Sequence, residues 1–89
     1  MRILVETKSG NVFESTEVTL QDLLDNQETK AAVYNRIKEY SELLTGEEVV
    51  MLHVVGSHVF IRPDNIDYIS LIGYDDLIDE ATKYFEENE

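Results

Sequence analysis

The thirteen residues Val49-Val50-Met51-Leu52-His53-Val54-Val55-Gly56-Ser57-His58-Val59-Phe60-Ile61 decide how this chain is read. Two runs rich in β-branched residues flank Gly56-Ser57, which is the pattern of a hairpin closed by a two-residue loop. That loop sets Val55 opposite His58, His53 opposite Phe60 and Met51 opposite Arg62. Alternation along each strand then collects Val50, Leu52, Val54, Val59 and Ile61 on one aliphatic face, which must be the core side. The other face carries Met51, His53, Val55, His58, Phe60 and Arg62. A solvated sheet face normally alternates more cleanly toward polar residues. This one therefore needs a cover, either the last helix of the chain or a second subunit. Exposed apolar patches mark interfaces, so Met51, His53, Val55, His58 and Phe60 are the expected interface residues.

The pattern extends in both directions. Downstream, Pro63-Asp64-Asn65 makes a turn, Ile66 to Ile72 reads as a strand, and Gly73 breaks it. Asp75 or Asp76 is expected to cap a final helix whose apolar positions, Leu77, Ile78, Ala81, Tyr84 and Phe85, fall on one stripe. Upstream, Ile3 to Val18 reads as a hairpin around Ser9-Gly10-Asn11. A two-residue loop at Ser9-Gly10 would mix polar and apolar residues on both faces. A three-residue loop from Ser9 to Asn11 groups Ile3, Val5 and Phe13, and one buried face selects that register. Thr19 with Asp22 is close to a capping box. Leu20, Leu23 and Leu24 follow on one face, and Asp25-Asn26-Gln27-Glu28 interrupts the pattern. Val33, Ile37, Tyr40 and Leu44 then recur at helical spacing until Thr45-Gly46. One bent helix and a short helix followed by a long one both fit. The order is ββ-α-βββ-α, a small two-layer α+β domain with a mostly antiparallel sheet and helices packed on one face.

Eighty-nine residues, 43% of them hydrophobic, suffice for one core and one domain, residues 1–89. Nineteen acids against seven bases give a net charge of -12, which argues against ordinary binding to phosphate backbones. With no cysteine, disulfides and thiolate chemistry are excluded. No apolar run approaches the ~18 residues of a membrane span, and the first residues read as a strand rather than a signal peptide, so a cytoplasmic location is expected. Seven of the acids and one base fall in residues 75–89, so half the net charge sits there. Asp75, Asp76, Asp79 and Glu80 suit the start of a helix, whereas Glu86, Glu87 and Glu89 oppose the dipole at its end. Residues 86–89 are either a solubilising, frayed tail or part of an acidic surface that a basic partner recognises.

Sites for chemistry are sparse. His53 and His58 would lie diagonally, about 7–8 Å apart, with no third ligand on their face, and so read as surface or interface histidines without a metal. Asp75-Asp76 with Asp79-Glu80 lacks the alternating ligands and central glycine of a calcium loop. Ser57 and His58 are chain neighbours whose side chains diverge, a poor start for a nucleophile and base. The chain is expected to be no enzyme and to need no cofactor. The stretch Val59-Phe60-Ile61-Arg62-Pro63-Asp64-Asn65-Ile66-Asp67-Tyr68-Ile69 resembles a strand-turn-strand of short bacterial and phage proteins, including small flagellar regulators; the resemblance implies a turn geometry and no function. Two functions remain in view. One is a small acidic interaction module, a homodimer through the hairpin face. The other is an acidic mimic of nucleic acid, of the kind carried by phages and mobile elements, that occupies a basic nucleic-acid-binding protein.

Overall fold

A computed structural model describes residues 1–26 and 29–88 of the chain. Strands β1 (Arg2–Thr7) and β2 (Val12–Glu14) form the first hairpin, with Val5 opposite Phe13 and Leu4 opposite Glu14. The three-residue loop is Lys8-Ser9-Gly10, one residue earlier than expected. Gly10 decides this: it takes φ +89, and the last residue of such a loop is left-handed, a conformation that costs glycine nothing. Thr7 seals the loop, its N–H donating to the Asn11 carbonyl at 2.8 Å while its hydroxyl accepts from the Asn11 N–H at 3.1 Å. The pairing slides by two residues, so the faces are kept. Ile3 and Val5 are buried and Phe13 is half-buried.

Helix α1 (Leu20–Asn26) starts on a true capping box. The Thr19 N–H donates to the Asp22 carboxylate at 3.0 Å, and the Asp22 N–H donates to the Thr19 hydroxyl at 3.2 Å. Helix α2 (Lys30–Glu42) starts separately on Thr29, whose hydroxyl accepts from the Ala32 N–H at 3.1 Å. The short-then-long reading is thus the observed one; of the interrupting residues, Gln27 and Glu28 lie outside the described residues. Past Glu42 the chain tightens into a 3₁₀ turn, Leu43–Thr45, closed by Gly46. With three residues per turn instead of 3.6, Leu44 rotates off the α2 stripe and is exposed, while Leu43 packs against the core.

Strands β3 (Val50–Val54) and β4 (Ser57–Ile61) form the second hairpin, and β5 (Ile66–Ile72) matches its expected span. The strands divide into two antiparallel sheets rather than one. β1 lies between β2 and β5, and β3 pairs with β4. β2 is three residues long, too short for a second ladder; beyond it, the Thr16 N–H and hydroxyl both donate to the His53 carbonyl, at 2.9 and 3.2 Å. Helix α3 (Tyr74–Glu87) follows β5 directly, with Gly73 at its N-cap. Asp75 and Asp76 therefore occupy its first turn and do not cap it, because the left-handed Gly73 swings the chain into the helix before either is reached. One buried cluster joins Ile3 and Val5 of β1, Leu23 of α1, Val33 and Ile37 of α2, Val50, Leu52 and Ile61 of the hairpin, and Leu77 and Ala81 of α3.

Candidate interaction surface

The loop of the second hairpin is Val55-Gly56 rather than Gly56-Ser57. Val54 stands opposite Ser57, His53 opposite His58, and Met51 opposite Phe60. Gly56 takes φ +76 while Val55 stays at negative φ, the sign pattern of a type II turn with glycine second. This corrects the expected opposition of Val55 with His58, His53 with Phe60, and Met51 with Arg62. The slide is again by two residues, so the faces survive. On the inner face Val50, Leu52 and Ile61 are buried and Val54 and Val59 half-buried.

The outer face lies open. Met51 is 55%, Phe60 68% and Val55 91% exposed, and His53 and His58 are exposed beside them. Of the two covers considered, the last helix does not provide one. The two imidazoles meet edge to face, with ring centroids 4.6 Å apart and planes at 81°. No carboxylate occurs from Val49 to Ile61. The outer face of the larger sheet is dressed quite differently. There Arg2 pairs with Glu14 at 2.6 Å, and Tyr68 stands opposite Glu6. Hydrogen bonding to the Glu6 carboxylate, helped by its charge, raises the Tyr68 phenol above its ordinary pKa. That face mixes charge with apolar surface, since Val12 is 58% and Ile72 40% exposed on it; the hairpin face differs in carrying no carboxylate among its apolar residues.

The acidic residues gather on α3. Asp75, Asp76, Asp79, Glu80, Glu86 and Glu87 are all exposed. At 100° per residue they fall within a sector of about 140°, opposite the buried Leu77 and Ala81. The Asn88 side chain closes the last turn on the Tyr84 carbonyl at 2.8 Å, so Glu86 and Glu87 stand on the helix itself. Glu89 lies outside the described residues. Among those described, none of the six carboxylates lies within ion-pair distance of a cation.

A third feature escaped the sequence reading. Beside the seam between the sheets is a cleft of about 530 Å³, lined in part by Thr16, Asp22, Asn26, Arg36, Tyr40 and His53. The Arg36 guanidinium lies 4.8 Å from the Tyr40 ring centre and pairs with Glu39 at 2.9 Å. The Glu39 hydrogen bond is the main cause holding Arg36 above its ordinary pKa. Its charge is already engaged within α2, which leaves the cleft a weak magnet for anions. Only the four-residue spacing of Arg36 and Tyr40 hinted at this cluster; the other walls come from distant segments. Among the described residues no group of three or more His, Asp or Glu is placed to hold a metal ion, and no helix is long and apolar enough to cross a membrane. No family model, curated protein or solved structure matches the chain, so the residues alone carry the functional reading.

Proposed function

We propose that this chain is a non-enzymatic interaction module that pairs with a second copy of itself through the outer face of β3 and β4. The observation that carries this reading is the exposure of Phe60, 68%, beside Met51, 55%, with Val55 at the hairpin tip. An aromatic anchor among apolar neighbours is the usual centre of an interface. A second copy suits the face because two-fold contacts need a self-complementary patch. It is also a part of the surface through which two chains of charge -12 can approach without setting carboxylate against carboxylate. Sedimentation equilibrium of the parent and of Phe60→Glu, at up to about 100 μM, tests this, since a micromolar dimer would be well populated there. The parent is expected to dimerise and the variant to stay monomeric. A monomeric parent would sink the reading.

The six exposed acids of α3 favour a second reading, a decoy for a basic nucleic-acid-binding protein. Fourteen helical residues span about 21 Å, a density of one carboxylate per roughly 3.5 Å on average, comparable to the ~3.4 Å phosphate spacing along one DNA strand, although the six stand as three pairs with a gap of about 9 Å between Glu80 and Glu86. Lys83 lies in the middle of that acidic sector, which weakens the imitation.

A further inference from the structure

We infer that His53 and His58 form a binding site for an imidazole-preferring divalent transition-metal ion, completed by the same two residues of a second copy of the chain. The inference rests on self-association through this face.

The register is the first argument. Direct opposition, instead of the diagonal placement expected from sequence, brings the ring centroids to 4.6 Å. Two imidazoles bound to one tetrahedral ion with Zn–N bonds of about 2.0–2.1 Å hold their ring centres roughly 5 Å apart. The pair is therefore already at chelating distance. Its edge-to-face arrangement aims the nitrogens apart, but turning one ring about its χ2 corrects this, and that torsion is soft. Both side chains are exposed, and their hydrogen bonds involve the backbone carbonyls rather than the ring nitrogens.

Two nitrogens leave half of a tetrahedral shell open. The described residues of one chain bring no third His, Asp or Glu to the pair, so a single chain would hold the ion loosely. The pair is set within the Met51, Val55 and Phe60 patch. A two-fold axis that buries those residues against their copies brings the two histidine pairs together as four neutral nitrogen donors. The ion adds positive charge between two chains that each carry -12, countering the repulsion that opposes the dimer. Nitrogen-only ligands select Zn²⁺, Ni²⁺ or Cu²⁺ and reject Mg²⁺ and Ca²⁺, which require oxygen.

The test is sedimentation velocity of the full chain at neutral pH with a chelator, with Zn²⁺ and with Mg²⁺, alongside calorimetric titration of Zn²⁺. Zn²⁺ is expected to tighten the dimer at least tenfold, at one ion per two chains. Mg²⁺ should do nothing, and His53→Ala or His58→Ala should remove the effect while leaving the circular dichroism and melting temperature unchanged. A dimer that forms in chelator and neither binds nor responds to Zn²⁺ would overturn the metal site and leave self-association standing. A chain that stays monomeric in every condition would overturn both. One Zn²⁺ per chain without dimerisation would overturn the shared site.

Discussion

Leu52 has no exposed surface and lies in the buried cluster with Val33 and Ile37. Removing its side chain leaves a cavity that rigid strands and a helix cannot fill, so Leu52→Ala is expected to cost about 2–5 kcal/mol. A small domain has only about 5–15 kcal/mol in all. Urea melts measure the loss, and a variant as stable as the parent would mean the aliphatic face is not the packed one. Asp22 offers a pH-dependent counterpart. The Thr19 backbone N–H, and then its hydroxyl, stabilise the charged carboxylate and lower its pKa from 3.8. A depressed carboxylate stabilises the fold above its unfolded value and stops doing so as pH falls through the folded one. Asp22→Ala should accordingly lower the melting temperature at pH 7 and much less at pH 2.5. An equal deficit at both would show that the carboxylate's charge adds nothing to the cap.

At the scale of elements, the sequence shows which side chains share a face and conceals which residues stand opposite. Period-two alternation reads the same after a slide of two residues, and both hairpins slid by two. What decides the register is the sign of one φ angle: Gly10 and Gly56 each take the last loop position, because that position is left-handed. Placing the glycine last in both loops would have given both pairings, and with them the direct opposition of His53 and His58. The split into two sheets was less accessible, since it follows from β2 ending after three residues. Helix α3 was legible as an amphipathic stripe, and its cap was misread because aspartate at position 75 or 76 is as welcome in a first turn as at a cap. That same helix supplies a test. Glu86 and Glu87 oppose its dipole, so replacing both with lysine should stabilise the fold by about 0.3–1 kcal/mol each at low salt. If α3 is the surface a basic partner grips, the stabilised variant should lose that partner. Retained binding would remove the decoy reading without any appeal to misfolding.

The whole molecule measures 47 × 27 × 18 Å, and at that scale the two functional readings respond to salt with opposite sign. At 10 mM salt the screening length is about 30 Å, longer than the middle dimension. Charges on α3 then act on a second copy wherever the two chains meet, and -12 against -12 opposes the dimer. At 150 mM the length falls to about 8 Å, and only charges bordering the interface still count. Because residues 49–61 carry no carboxylate, little repulsion is left to screen within the patch itself. Self-association through the hairpin should therefore tighten as salt rises, by on the order of tenfold or more over this range, about 1.4 kcal/mol per factor of ten. A decoy complex runs the other way. Opposite charges steer and hold it, and the same salt weakens it as it weakens contacts to phosphate. Measuring the dimer's Kd at both salt concentrations, with chelator present to exclude bridging ions, reads the sign directly. A dimer that loosens with added salt would place opposite charges in attractive contact across the interface, and the apolar residues Met51, Val55 and Phe60 could not then be its main support.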